Sequence, residues 1–435
     1  MPSPIQSPPV EFTRRELLRT ATGAATFGGA AIGSSWLTPI AAQLAHAAEN
    51  DPSSEPAQSV ILLWLAGGPS QLETFDPHAG HRIAGGTQAI GTAVSGIELA
   101  ADYPLLAEQM TSLSIVRSLV SQEGDHERGT YLAQTGYRPD AATVHPSLGA
   151  ICCHELPAAG AEIPRHISIL PSAWPSRGGF LGPGFDAFTS GDPRQPVPDL
   201  IGRVSDERLA RRLADLEVVE RAFATGRSRQ VDETLHLETR ARARTMMSSE
   251  QIAAFDVRQE PAELRRRYGD TPFGRGCLAA RRLIEVGVRC VEVTLGGWDT
   301  HVDNHELHRR LAATLDPAFA ALVSDLRERD LWRRTIVLCG GEFGRTPSIN
   351  PLAGRDHWPQ GFSMLLGGGG LRGGQLVGAT DPEGRAAPAD PKRFADVHAT
   401  VLAALGLDPA RELTSSAGRP LKLSEGTPIA ALIDA

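Results

Sequence analysis

Three apolar runs in this chain each end in Gly-Gly, with an acidic residue soon after. Residues 60–66 lead into Gly67-Gly68 and then Glu73 and Asp76, residues 288–295 into Gly296-Gly297 and then Asp299, and residues 335–339 into Gly340-Gly341 and then Glu342. Such β-branched runs predict buried strands, and glycine lets the backbone turn sharply beyond them. A single Gly-Gly with an acid is typical of an ordinary turn and helix cap. Three together predict one site, because chemistry in open α/β sheets gathers beyond the carboxyl ends of strands.

Further strand-like runs predict the fold class. They cover residues 113–116, 166–170 and 362–366, and segments long enough to hold helices separate them. This alternation predicts an α/β/α sandwich with a mostly parallel central sheet. Residues 206–267 are charged and rich in alanine and leucine, which predicts a helical insertion with a solvated face.

The amino terminus has the pattern of an export signal. Residues 13–19 read TRRELLR, a mildly apolar stretch follows, and Ala45-His46-Ala47 offers a small-residue cleavage site. We expect a twin-arginine signal peptide over residues 1–47, a linker over 48–59 and one domain over 60–435. The twin-arginine translocase is then a partner, and the mature chain is periplasmic or extracellular. No later segment is apolar and long enough to predict a membrane span.

Composition argues against several other classes of protein. Lys and Arg number 43 against 51 Asp and Glu, a net charge of −8, and no basic stripe predicts nucleic-acid binding. The five cysteines contain no C-x-x-C pair, so neither a disulfide framework nor a zinc ribbon is indicated. The glycines at 367–370 lack the context of a nucleotide-binding loop. No Gly-x-Ser-x-Gly elbow of a serine hydrolase occurs.

Clustered acids and histidines instead predict a metal site. Asp299 stands at a strand end, and His301 and His305 are four residues apart, which places them on one face if the segment is helical. Asp356 and His357 form a second pair. The spacing fits one or two divalent ions and does not choose among Zn, Mg, Mn and Ca.

A helix start is predicted at residues 125–128 (DHER), where backbone N–H groups would favour an anion. Arg128 and Arg345 are candidate anion clamps, although an ordinary surface salt bridge is the commoner role of a single arginine.

Several motifs resemble one family. They are LAGGPSQLETFD at 65–76, GGWDTH at 296–301, GEFGRTP at 341–347, GRDHW at 354–358 and DVHATVLAALG at 396–406. The sequence resembles the bacterial secreted proteins of domain-of-unknown-function family 1501 over nearly all of the mature chain. That family is placed in the alkaline phosphatase and sulfatase superfamily. The resemblance therefore implies an α/β/α core with two metal ions at its strand ends and hydrolysis of phosphate or sulfate esters.

The resemblance also implies site roles and shows two departures. Asp299, His301 and His305 match an acid with later histidines, Glu342 occupies a strand end that commonly carries Asp-His, and Asp356-His357 supplies the last histidine. The first departure is His126, which stands where a nucleophilic Ser or Thr is expected. The second is the first strand, which ends in Gly67-Gly68 and leaves Glu73 or Asp76 to reach back.

His126 is then an extra metal ligand, a different nucleophile or a sign of lost activity, and the ligand is the favoured interpretation. In that case an ion-activated water attacks the ester while Arg345 or Arg128 steadies the charge. We therefore expect an exported metal-dependent hydrolase of a small-molecule or glycan ester. The alternative is a non-catalytic metal-binding or scaffold protein of the same fold.

Overall fold

A computed structural model of the protein describes residues 55–200, 204–225, 235–415 and 417–433. The predicted signal peptide and residues 48–54 of the predicted linker lie outside these ranges. Residues 55–58 precede the first strand, and Ala57 among them is buried and donates its N–H to the carbonyl of Ala404 (3.0 Å).

Every strand predicted from an apolar run is present. Strands β1 to β14 are Ser59–Ala66, Ala89–Gly91, Glu98–Ala100, Leu113–Leu119, His166–Ile169, Phe188–Ser190, Cys290–Gly296, Thr335–Gly340, Gly344–Arg345, His357–Trp358, Phe362–Gly368, Leu376–Val377, Glu412–Thr414 and Pro420–Lys422. Helices α1 to α9 are Pro104–Glu108, His126–Thr135, Leu148–Glu155, Asp206–Ala224, His236–Ser248, Ala262–Tyr268, Pro272–Glu285, Asn304–Glu328 and Phe394–Ala404.

Eight strands form the central sheet in the order β12-β4-β11-β8-β1-β7-β5-β6. Strand β1 lies between β7 and β8 and is parallel to both, so the three strands that precede the Gly-Gly pairs are neighbours. Strand β11 is antiparallel to β4 and β8. A parallel return needs a long crossover, usually helical, whereas the stretch between β8 and β11 contains only the short β9 and β10.

Helices cover both faces of the sheet. Alternate residues of β1 face opposite sides. Ile61, Leu63 and Leu65 belong to a core that includes residues of α7 and α8, whereas Val60 and Trp64 belong to a second core that includes residues of α3 and α9. The predicted α/β/α sandwich with a mostly parallel sheet is therefore confirmed.

The stretch 206–267 contains α4, α5 and α6, and its longest helix begins after Ser205, whose side chain accepts a hydrogen bond from the N–H of Arg208. The five cysteines are free and buried, as small apolar side chains commonly are. Within the described ranges, no helix has both the length and the apolarity needed to cross a membrane.

Candidate metal centre

The carboxyl ends of the neighbouring strands converge on one cluster of polar side chains. Asp299 and His301 follow β7, Glu342 follows β8, and His126 is the first residue of α2, whose amino end the Asp125 side chain caps. His357 comes from β10. The N–H of Gly67, just beyond β1, donates to Oε1 of Glu342 (3.0 Å), so the turns that follow β1 and β8 are in direct contact.

One carboxylate oxygen lies at the centre of this cluster. Oδ1 of Asp299 is 3.0 Å from Nε2 of His301, 3.2 Å from Nε2 of His357 and 3.4 Å from Nε2 of His126. Donor atoms of Asp299, His126 and His357 all lie within 4.8 Å of one another. Nε2 of His301 is also 3.1 Å from Nε2 of His357.

Each of the three imidazoles is oriented by an acceptor at its other nitrogen. Nδ1 of His126 lies 2.6 Å from Oε1 of Glu342, Nδ1 of His301 lies 2.9 Å from Oδ1 of Asp356, and Nδ1 of His357 lies 2.7 Å from the carbonyl oxygen of Gly124. Because these oxygens accept, each Nδ1 carries the proton that it donates. In the neutral rings, the three Nε2 atoms are therefore unprotonated, and all three lie within 3.4 Å of Oδ1 of Asp299.

This donor set fits a divalent cation. Converging lone pairs beside a carboxylate repel one another unless a positive charge lies among them, and imidazole with carboxylate is a common set for zinc and other divalent ions. Nε2 of His126 and Oε2 of Glu342 are both buried and without a hydrogen-bond partner. Such unpaired buried atoms are costly in an apolar interior and ordinary beside an ion.

The charges at the cluster shift the pKa values of His126 and Asp299 in opposite directions. The hydrogen bond with Glu342 raises the pKa of the His126 imidazole, against the opposing effect of burial. Burial raises the pKa of the Asp299 carboxyl, but the hydrogen bond and charge of Arg345 outweigh it and hold that pKa at about 2. Asp299 is therefore a permanent anion, and a proton on His126 competes with a metal for the same place.

Arg345 is a buried residue that supports the site from within, and it is not exposed for binding an anion. Its side chain is fully buried, and Nη2 donates to Oδ1 of Asp299 (2.6 Å) and to the carbonyl of Gly67. Nε donates to the carbonyl of Gly68 (2.8 Å), and Nη1 to that of Arg355 (3.1 Å). With these contacts made, the guanidinium fixes the strand-end loops and Asp299.

Arg128 does not reach the cluster in this structure. Its guanidinium makes two hydrogen bonds to the carboxylate of Glu123, at 2.7 and 3.0 Å, and about half of its side chain is exposed. Arg138 donates to the same carboxylate (2.7 Å). Both candidate anion clamps are therefore engaged in ion pairs in this structure. Arg345 forms a buried one with Asp299, and Arg128 forms a peripheral one with Glu123.

Glu73 and His305 lie in a separate ion-pair cluster. Glu73 is buried and accepts from Nη2 of Arg355 (2.8 Å) and from Thr87 (3.1 Å), and Nε2 of His305 lies 3.3 Å from its Oε1. Helix α8 begins only at Asn304, so His301 precedes it and does not share a helical face with His305. These two predicted ligands are thus not brought to the Asp299 cluster.

Asp76 is also engaged elsewhere. Its carboxylate lies 3.2 Å from Nε of Arg117 and 3.3 Å from His78, and it accepts a hydrogen bond from Thr380. Neither acid that follows the first strand reaches back toward the cluster. The turn after that strand contributes backbone groups instead, namely the N–H of Gly67 to Glu342 and the carbonyls of Gly67 and Gly68 to Arg345.

Several contributors carried no clear signal in the sequence. The Gly124 carbonyl orients His357, and the ring of Phe343 lies 5.0 Å from that of His126 and 4.6 Å from that of His357. Asn350 donates to Oδ1 of Asp356 (3.2 Å). One further segment could have been predicted from its position after a strand. It follows β5, includes Trp174 and lines a cleft beside the cluster.

The profile of a family described as "Protein of unknown function (DUF1501)" matches residues 57–433. The chain belongs to this family. A comparison with curated proteins gave no match.

Similar solved structures share little sequence with the chain. A protein in the alkaline phosphatase superfamily from Vibrio parahaemolyticus is 14% identical, with a TM-score of 0.37 over 84% of this chain and 74% of that one. The sulfatase PsFucS1 from Pseudoalteromonas sp. is 12% identical, with a TM-score of 0.36 over 86% and 72%. Alkaline phosphatase from the Antarctic bacterium TAB5 is 10% identical, with a TM-score of 0.38 over 81% and 99%.

Proposed function

We propose that this family member is an exported, metal-dependent hydrolase of a phosphate or sulfate ester. The observation that carries the proposal is the convergence of three imidazole Nε2 atoms on Oδ1 of Asp299, each ring held by an acceptor at Nδ1. The ester class is supported by the motifs that resemble family 1501, a family placed in the alkaline phosphatase and sulfatase superfamily. Export follows from the twin-arginine pattern, which lies outside the described residues.

His126, Asp299 and His357 would hold the ion, with His301 beside them. A divalent ion here supplies a positive charge that polarises a phosphoryl or sulfuryl oxygen and acidifies water. Glu342 and Gly124 keep Nδ1 of His126 and of His357 protonated, so that Nε2 of each remains a ligand.

The charge of the adjacent cleft supports a requirement for metal. Asp299 and Glu342 line it, and its described lining contains no Lys or Arg. No Lys or Arg of this lining is available to an ester anion that enters the cleft, because Arg345 is fully buried and already paired with Asp299. A bound divalent ion would reverse that local charge and so permit anion binding.

A second candidate function is metal binding without turnover. His126 favours it, because this residue occupies the position where the superfamily's Ser or Thr nucleophile is expected. Under the hydrolase proposal, water replaces that side chain as the nucleophile and His126 acts as a ligand. The two functions predict the same metal content and different turnover.

The test is metal content and turnover of the full chain, purified without chelator and supplied in turn with Zn, Mg, Mn or Ca. Wild type should hold near-stoichiometric metal by plasma mass spectrometry and hydrolyse members of a phosphate and sulfate ester panel. His357→Ala should lose at least roughly tenfold in metal affinity and its turnover. His305→Ala is the matched control and should keep both, because His305 lies with Glu73.

Wild type that binds no metal under any of these conditions would overturn the proposal. Stoichiometric metal with no turnover across the panel would leave the non-catalytic function. Loss of metal in His305→Ala equal to that in His357→Ala would show that the ion binds elsewhere.

A further inference from the structure

A cleft of about 470 Å³ opens beside the metal centre. Its inner end is lined by His126, Asp299 and Glu342, and its outer wall is the segment 170–174, which follows β5. A volume in this range is typical of a small-molecule site. Whatever group projects outward from an ester held at the cluster would contact this wall.

The outer wall is apolar and uncharged. Leu170, Pro171, Ala173 and Trp174 line it together with the polar Ser172. Trp174 is 39% exposed although it is one of the largest apolar side chains in the protein. A single exposed tryptophan is unremarkable on a surface. This one forms a wall continuous with a cluster of candidate metal ligands.

Hydrogen bonds fix the wall relative to the metal centre. The carbonyl of Trp174 accepts from Nε2 of Gln134 (2.8 Å) and from the hydroxyl of Ser172 (3.1 Å). Gln134 belongs to α2, the helix that begins with His126. The N–H of Leu170 donates to the carbonyl of Ser190 (2.8 Å). The helix that contributes a candidate ligand thus also holds the wall in place before any ligand binds.

We propose that this wall is a subsite for an uncharged aromatic leaving group, with Trp174 as its specificity-determining residue. The inference rests on the proposed hydrolase function and names its substrate class, an aryl phosphate or aryl sulfate. An aromatic ring gains from offset or edge contact with the indole. A polyanionic glycan or a nucleotide would instead need Lys or Arg along the wall, and the described lining has neither.

Two non-hydrolysable probes, phenylphosphonate and methylphosphonate, test the subsite by calorimetric titration of the metal-loaded full chain. Wild type should bind phenylphosphonate more tightly than methylphosphonate. Trp174→Ala should weaken phenylphosphonate binding roughly tenfold and leave methylphosphonate binding unchanged. Trp174→Phe, which keeps a ring, should retain most of the preference. Val218→Ala is the control, because Val218 is exposed on α4 and does not line the cleft.

Kinetics separate this proposal from the broader one. For any ester that the protein hydrolyses, Trp174→Ala should lower kcat/KM for the phenyl ester and spare that for the methyl ester. A preference for phenylphosphonate that depends on Trp174 supports the subsite even if no ester is turned over, in which case only the hydrolase proposal fails. Equal binding of both probes, or an equal effect of Trp174→Ala on both, overturns the subsite proposal. The hydrolase proposal does not depend on that result.

Discussion

Nη2 of Arg345 lies 2.6 Å from Oδ1 of Asp299, and the Arg345 side chain is completely buried whereas nearly half of the Asp299 side chain is exposed. The arginine therefore contacts Asp299 from the protein interior, whereas the exposed part of Asp299 lines the cleft. This arrangement fixes Asp299 in one place and leaves part of its carboxylate accessible to a cation. It makes Arg345 a positioning residue.

Replacing this arginine should destabilise the fold and the site together. Arg345→Met removes the donors to the carbonyls of Gly67, Gly68 and Arg355, of which Gly68 and Arg355 are buried. We expect a loss of about 2–4 kcal/mol in the free energy of unfolding, because each buried carbonyl that is left without its donor costs about 1–3 kcal/mol. Urea denaturation measures it.

Arg128→Met is the comparison that separates the two arginines. Arg128 is exposed, and after its replacement Glu123 is still paired with Arg138. We therefore expect little change in stability or in KM for an ester. A large rise in KM with unchanged stability would instead show that Arg128 moves into the cleft when substrate binds.

Metal affinity should depend on pH through His126 rather than through Asp299. The pKa of His126 is raised by Glu342, so below that pKa a proton competes with the metal, and affinity should rise with pH until the imidazole is neutral. The pKa of Asp299 is about 2, so this carboxylate adds no dependence above pH 5. Zinc or manganese titrations from pH 5.5 to 8.5 measure the effect. An affinity that is flat over that range would mean that carboxylates alone bind the ion.

The strand ends could be predicted because local sequence encodes them. β-Branched runs followed by Gly-Gly placed Asp299 and Glu342 just beyond two strand ends, and the predicted helix start at residues 125–128 is confirmed by α2, which begins at His126. Order in the sheet was not encoded locally, yet β8, β1 and β7 are neighbours, which is the arrangement that a shared site requires.

The ligand set could be predicted only in part, because partners distant in sequence decide it. Glu73 is neutralised by Arg355, 282 residues away, and no local pattern predicts that pair. His305 was assigned from a helical spacing, but Asp303 adopts a left-handed backbone (φ 46°) and the helix begins after it. The carbonyl of Gly124 that orients His357 is a backbone group, so no residue type in the sequence predicts its role.

Gly67→Ala, in the turn after β1, should disturb the candidate metal centre by displacing the loop that carries Asp299. A Cβ on Gly67 would lie 2.5 Å from the backbone nitrogen of Asp299, and its φ of +115° disfavours any side chain. The clash must displace the loop that carries Asp299, so we expect a loss of about 2 kcal/mol or more in stability and a weaker metal affinity.

Gly86→Ala is the matched control for backbone strain. Gly86 has a φ of +105°, and a Cβ at this position would have no atom within 4 Å, so the substitution strains the backbone without a clash. It should cost about 1 kcal/mol and leave metal affinity unchanged. Equal effects of the two substitutions on metal binding would show that the contact of Gly67 with the Asp299 loop is unimportant.

A buried carboxyl away from the metal centre offers an independent test of the fold. Glu292 of β7 is buried, and its two oxygens accept hydrogen bonds from Ser168 (3.1 Å) and Ser176 (2.8 Å). Burial raises the pKa of Glu292, and these two hydrogen bonds oppose the rise without cancelling it. The folded protein therefore binds this proton more tightly than the unfolded chain.

The stabilisation from this proton is fully present below pH 4.5, the ordinary pKa of glutamate, and is lost as pH rises through the higher folded-state pKa. Glu292→Gln does not titrate and remains able to hydrogen-bond both serines. The melting temperature of the variant relative to wild type should therefore increase between pH 4.5 and pH 8, as measured by calorimetry across that range. Glu412→Gln, at an exposed position in β13, should show no such trend. A constant difference for Glu292→Gln would mean that a cation or water network compensates the buried carboxylate.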